Sequence, residues 1–209
     1  NYSSLVMPPY DELWPAEFAP AEPLALLDRK FSRQFYLEQA RTFVWGQQPT
    51  VANFLPILLE QRAEEMDYVM RLARVRSLVL KYLLHGEFLR PPRLNVPEVT
   101  SDFSRLSIYA GQKDRLTISQ RSHPLALAGA WRASDGDVAI ALASVSDEPL
   151  PLSLDIDRKY YALPQQPQVF RIDAAGRRPV ELPAEIAAPL KVTLAPRDIC
   201  ILEFQKTSQ

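Results

Sequence analysis

Cysteine and histidine are almost missing from this chain of 209 residues, which holds one Cys and two His. A lone Cys200 allows no internal disulfide and no cysteine metal cluster, and it leaves the redox compartment open. His85 and His123 lie far apart without ligand spacing, so no metal site is expected, and no motif asks for a cofactor. No unbroken run of about 18 apolar residues occurs, so neither a membrane span nor a membrane partner is expected. Charge of one sign is lacking too. The 24 Lys and Arg against 25 Asp and Glu give a formal net charge of -1. A nucleic-acid partner normally meets a basic face, and is not expected here. The chain opens Asn1-Tyr2-Ser3-Ser4, without Met and without a basic-then-apolar leader. The expectation is that the native amino terminus lies upstream, so export cannot be judged from this end.

What is present is an ordinary globular mixture, 47% hydrophobic and 23% charged. It is enough for one large domain or two small ones with a real core. Tyr2 to Met7 reads as a short strand stopped by Pro8-Pro9, and Asp11 to Pro23 as an ordered loop carrying Trp14 and Phe18. Pro23 suits a first helical turn, and Leu24, Leu27, Phe31 and Phe35 recur at helical spacing up to about Glu38. The run Arg41-Thr42-Phe43-Val44-Trp45, stopped by Gly46, reads as a second strand. A short helical piece around Phe54 to Gln61 leads into a long helix from Arg62 to Leu84. Its expected buried stripe is Met66, Val69, Met70, Ala73, Leu80 and Leu83, with Glu64, Glu65, Arg71, Arg74 and Lys81 on the solvent side. His85 and Gly86 close it.

Residues 1–92 therefore read strand, helix, strand, helix. Two strands joined by a crossover helix pair in parallel, and a parallel pair needs further strands beside it and cover on both faces. The unit looks incomplete.

From about Leu94 the texture becomes short alternating runs between turn signals. Pro124–Ala133 and Val138–Val145 flank Ser134-Asp135-Gly136-Asp137, a hairpin pattern. Leu150–Ile156 follows another turn. Val169–Ile172 and Arg178–Leu182 flank a second hairpin turn, and Leu190–Leu194 and Ile199–Phe204 flank Ala195-Pro196-Arg197-Asp198. With Arg105–Tyr109 and Leu116–Ser119 the count is about eight strands, an antiparallel two-sheet sandwich.

Three stretches carry a family resemblance. Arg41-Thr42-Phe43-Val44-Trp45-Gly46 resembles the last strand of a (β/α)8 barrel. Lys81 to Pro92 resembles the final barrel helix running into a linker, and Leu194 to Phe204 the closing hairpin of an accessory sandwich. The chain thus resembles the carboxyl-terminal end of glycoside hydrolases, with a bacterial family of glycosidase-like proteins bearing a DUF6259-type barrel as the nearest comparison. The resemblance implies an α+β two-part chain: residues 1–95 as the terminal βαβα portion of a (β/α)8 barrel, and 96–209 as an antiparallel β-sandwich. It also implies carbohydrate and the remaining amino-terminal part of the same protein as partners.

Barrel active sites sit at the carboxyl ends of the strands. On that basis Tyr10, Asp11 and Glu12 would follow one strand, and Trp45, Gln47, Gln48 and Asn53 the other. An aromatic face with amide donors suits a pyranose, and a carboxyl could hold hydroxyls or act as general acid. Bland readings stand beside these. Trp45 also suits a core or interface position, and Asp11 and Glu12 a solvated loop. Glu64-Glu65 suits a solvated helix face, Glu87 a linker contact, Cys200 a small buried residue, and Trp131 core or interlayer packing. His123 at a strand start carries little functional signal. Hydrolysis needs two carboxyls about 5–9 Å apart, and in barrels these lie on earlier strands, so no catalytic residue is assigned. Two other classes compete: a non-catalytic carbohydrate-binding module, and a structural domain without ligand.

Overall fold

The computed structural model describes residues 5–6, 32–51, 56, 58–106, 116–180 and 189–206. In chain order these form β1 (Leu5–Val6), α1 (Ser32–Val44), β2 (Thr50–Val51), α2 (Leu58–Gln61), α3 (Ala63–Leu78) and α4 (Leu80–Leu83). Then come β3 (Glu87–Leu89), β4 (Arg93–Asn95), β5 (Glu98–Leu106), β6 (Leu116–Pro124), β7 (Ala126–Arg132) and β8 (Val138–Ser144). The last five are β9 (Leu150–Asp155), β10 (Gln168–Asp173), β11 (Gly176–Pro179), β12 (Leu190–Leu194) and β13 (Ile199–Gln205). The architecture is α+β, with few helices and mostly antiparallel sheets, and is compatible with a β-sandwich.

The expected second strand at Arg41–Trp45 is helical. Gln34, Leu37, Glu38, Gln39 and Ala40 are good helix formers, and the bonds they start extend through Thr42, Phe43 and Val44 despite their strand preference. Thr42 Oγ1 donates to the Glu38 carbonyl at 2.9 Å, a bond open to it only within a helix. Gly46 then takes φ +69°. Its N–H donates to the Phe43 carbonyl and that of Gln47 to the Thr42 carbonyl, both at 2.9 Å, closing the helix in a Schellman cap. Gly46 is a stop signal as expected, but it stops a helix.

The parallel pair nevertheless exists, with a different second member: β1 pairs in parallel with β2, Leu5 opposite Thr50 and Val6 opposite Val51. The order strand, helix, strand, helix survives, with the second strand moved from 41–45 to Thr50–Val51. No third strand joins this pair among the described residues.

The long helix is broken at Val79, which adopts φ -128° between α3 and α4. Its buried face is Tyr68, Leu72, Val75, Val79 and Tyr82, with Met66 and Leu83. From the expected stripe, Met70 is 55% exposed and Ala73 is exposed, while Glu65, assigned to solvent, is buried. Tyrosine hydroxyls decide the phase. Tyr68 Oη donates to the Ser144 carbonyl at 3.2 Å and Tyr82 Oη to Glu203 at 2.7 Å, so both rings can be fully buried.

Six strands form one antiparallel sheet in the order β11-β10-β13-β8-β7-β3, and three form another in the order β12-β9-β4. The nine-residue strands β5 and β6 make a separate ribbon. Among the described residues β3–β13 give eleven antiparallel strands, more than expected because Glu87–Leu89 and Arg93–Asn95 also pair, and β5 starts earlier, at Glu98. The hairpins β7–β8 and β10–β11 are as expected. Leu190–Leu194 and Ile199–Phe204 are not a hairpin: β12 pairs with β9 in the small sheet, while β13 pairs with β8 and β10 in the large one. The Pro196 turn carries the chain from one sheet to the other, because each strand follows its own apolar partners.

The large sheet separates two cores. One face presents Ala139, Ala141, Ala143, Ile199 and Ile201 to α1 and α3, and the other presents Val138, Ile140, Leu142, Leu202 and Phe204 to the small sheet. The alternation follows from the period of two along a strand. Cys200 belongs to the second core and is fully buried. α1 lies directly on β7, where a Cβ at Gly129 would overlap the Val44 carbonyl oxygen. Trp131 Nε1 donates to that same carbonyl at 3.1 Å.

Candidate functional site: a polar cleft at the helix amino ends

Five residues, 45–49, separate the end of α1 from the start of β2. Since β1 and β2 are parallel, α1 must return the chain to the starting end of the pair. The amino ends of α1 and of α2–α3 therefore lie at the end where the two strands leave off. That is the end at which parallel βα units place their ligand-binding loops.

A cleft of about 790 Å³ opens at this end. Arg33 and Tyr36 come from the first turns of α1, and Glu60 to Glu65 from α2 and the start of α3. Thr100, Ser101, Asp102 and Gln120 come from the β5–β6 ribbon, and Asp147 and Arg197 from the loops after β8 and β12. Helical layer, ribbon and sandwich each supply a wall.

The floor is organised by Arg197. It sits at the third position of the turn Ala195–Asp198, closed by the Asp198 N–H donating to the Ala195 carbonyl at 3.1 Å. Its φ is +50°, a left-handed conformation that costs a side-chain-bearing residue about 1 kcal/mol. The guanidinium offsets that cost. It donates to Glu64 at 2.7 Å, to Tyr36 Oη at 2.8 Å and to Asp147 at 2.9 Å, and lies 4.3 Å from the Tyr36 ring centre. Arg33 donates to the other Asp147 oxygen at 3.2 Å. Burial works against the Arg197 charge, but hydrogen bonds to Glu64 and Asp147 and the proximity of Tyr36 hold its pKa above the ordinary value. Burial, with the charge of Glu65, keeps the Tyr36 hydroxyl protonated well above its ordinary range. The floor is ion-paired and internally satisfied.

The opposite wall is different. Asp102 and Gln120 stand directly across the ribbon from one another. Among the described residues, neither these two nor Glu60, Gln61 and Arg62 have a side-chain hydrogen-bond or ion-pair partner, which leaves their polar groups open to a ligand. Among the described residues of the lining, three arginines face five carboxylates, an excess of negative charge. The arrangement can hold a polar molecule at many points. One hydroxyl of the lining, that of Ser101, lies 3.1 Å from His123 Nε2, and among the described residues no three His, Cys, Asp or Glu side chains group as metal ligands.

No family model and no curated protein matches the sequence. A solved structure from Bacillus halodurans C-125, that of a candidate alpha-N-acetylgalactosaminidase, is similar with a TM-score of 0.37 and 11% sequence identity. The likeness covers 84% of this chain and 31% of the other, so the chain spans less than a third of that protein.

Of the residues singled out from sequence, Tyr10, Asp11, Glu12 and Asn53 lie outside the described residues. Trp45, Gln47 and Gln48 precede β2 instead of following a strand, so they lie at the end of the βα unit away from the cleft. Their placement on a carboxyl-end rim depended on a strand at 41–45, and that segment is helix. Trp45 is 52% exposed, with the Arg41 guanidinium 5.7 Å from its ring centre.

The remaining positions have partners within the chain. Glu64 pairs with Arg197, and Glu87 with Arg132 at 3.3 Å. His123 is buried between the Ser101 hydroxyl and the Pro124 carbonyl, each at 3.1 Å. The carbonyl can only accept, so Nδ1 is the ring nitrogen that donates to it, and Nε2 faces the Ser101 hydroxyl. Trp131 packs between the layers, as one sequence reading had it. Arg33, Tyr36, Asp102, Gln120 and Arg197 were not visible as a group, because they come from four separate segments. The Pro196 turn was legible, but an arginine in a glycine-like conformation shows only in the backbone angle.

Proposed function

We propose that the chain is the carboxyl-terminal part of a glycoside-hydrolase-like, carbohydrate-processing protein. In this reading residues 1–95 complete a (β/α)8 barrel of the DUF6259 type, and residues 96–209 form a sandwich that buttresses it. The observation that carries the proposal is the parallel β1–β2 pair, crossed by α1 and unaccompanied by a third strand among the described residues. Parallel strands are found buried within larger sheets, so such a pair calls for neighbours. The sequence resemblance supplies the sugar, and the polar cleft at the strand-exit end agrees with it. The catalytic carboxyls would lie on the barrel strands that precede β1.

A non-catalytic carbohydrate-binding or structural module is the second reading. One observation favours it: α1 and α3 share a core directly with the large sheet. Activity separates the two. The full-length protein is expected to hydrolyse at least one of a panel of nitrophenyl glycosides, while residues 1–209 alone hydrolyse none. Glycan binding without hydrolysis by the full-length protein would favour the module, and neither binding nor hydrolysis would leave the carbohydrate role without support.

A further inference from the structure

We infer that the cleft between the helix amino ends and the β5–β6 ribbon is a binding site for an uncharged saccharide, held by Asp102 and Gln120 on the ribbon and by Gln61 and Arg62 on the helical side. This deepens the carbohydrate reading and rests on it. The volume of about 790 Å³ lies within the range of small-ligand sites. Its available groups include acceptors (Asp102, Glu60), donors (Arg62) and amides that do both (Gln61, Gln120). A ligand matched to such a lining has hydroxyls on all sides, each able to donate and accept. A lipid or aromatic ligand would leave these groups without partners, at a cost for each one buried.

Charge narrows the class further. Among the described lining residues five carboxylates stand against three arginines, and Arg33 and Arg197 are already paired to Asp147 and Glu64, so this lining disfavours sulfated, phosphorylated and uronate sugars. The satisfied floor also matters. Arg197, in a left-handed backbone conformation and bonded to Glu64, Tyr36 and Asp147, ties the helical wall to the loops after β8 and β12, so the floor is set before a ligand arrives.

The test is direct binding by the full chain to an array of neutral hexosyl, pentosyl and N-acetylhexosaminyl oligosaccharides beside sulfated and uronate-bearing ones. The strongest neutral binder is then titrated calorimetrically. Neutral glycans are expected to bind in preference. Asp102→Ala and Gln120→Ala should each weaken binding about tenfold. Lys191→Ala on β12 should leave it unchanged, and thermal unfolding should confirm that all three variants fold like the wild type. Equal binding by wild type and the Asp102→Ala/Gln120→Ala double variant would overturn the inference, and so would a preference for acidic glycans. Absence of any glycan binding would also overturn it. Hydrolysis by the full-length protein is read separately, so this site can fail while the proposed function stands.

Discussion

The two faces of the six-stranded sheet are built differently, although the same strands supply both. Toward the small sheet the strands present Val138, Ile140, Leu142, Leu202 and Phe204, and the core is aliphatic and continuous. Toward the helices the same strands present Ala139, Ala141 and Ala143, with Gly129 on the neighbouring strand. Small residues let helix backbone approach sheet backbone closely, and the volume is filled by large helix side chains such as Phe35, Phe43, Tyr68 and Tyr82. Polar anchors then set where each helix sits: Trp131 on Val44, Tyr68 on Ser144 and Tyr82 on Glu203. One face is held by volume, the other by contact distance and hydrogen bonds.

Gly129→Ala should break the helical face most severely, because its Cβ would overlap the Val44 carbonyl and push α1 off the sheet. A loss of about 3 kcal/mol is expected in denaturant unfolding. Leu142→Ala probes the other face by leaving a cavity, with an expected cost of about 2–3 kcal/mol. The double variant should be nearly additive, since the two residues face different cores. Strong coupling between them would mean that the sheet does not separate the cores.

Tyr82→Phe removes the hydroxyl that donates to Glu203. That carboxylate is nearly buried, and keeps its hydrogen bond from Arg177 at 2.7 Å and its ion pair with Lys81 at 3.6 Å. About 1.5–2 kcal/mol should be lost, the range for a hydrogen bond to a charged group. A change within about 0.5 kcal/mol would show that the anchor has no energetic role.

The smallest expected effect is pH-dependent. Burial acts to raise the Asp173 pKa, but hydrogen bonds from Arg171 and Arg178 more than reverse it and hold the group below its ordinary value. The stabilisation is therefore complete above the unfolded carboxylate pKa and is lost as pH falls through the lowered folded one. Asp173→Asn should cost about 1 kcal/mol at neutral pH, with the difference from wild type shrinking as pH falls from about 5 to 2. Parallel stability curves for the two proteins over that window would contradict this.

How much of this was legible in the sequence depended on where the deciding partner lay. The β7–β8 hairpin was readable because its turn, Asp135-Gly136, lies between its own strands. The strand reading of Arg41–Trp45 failed because local β preference was weighed without the cap that Gly46 provides to a helix. The buried stripe of α3 and α4 differs from the expected one because Tyr68 and Tyr82 become core residues only when Ser144 and Glu203, far along the chain, accept hydrogen bonds from their hydroxyls. β12 and β13 were read as a hairpin because their turn is short, whereas their pairing is set by β9 on one side and β8 and β10 on the other. The cleft was hidden for the same reason: its walls come from segments that meet only after folding.

The central claim is that β1 and β2 are two members of a larger parallel sheet. A crystal structure of the full-length protein tests it most directly. Parallel strands are expected on the outer edges of β1 and β2, hydrogen-bonded to them, with α1 and α3 between that sheet and the antiparallel sheets. A structure in which the β1–β2 pair has no further parallel neighbour would contradict it.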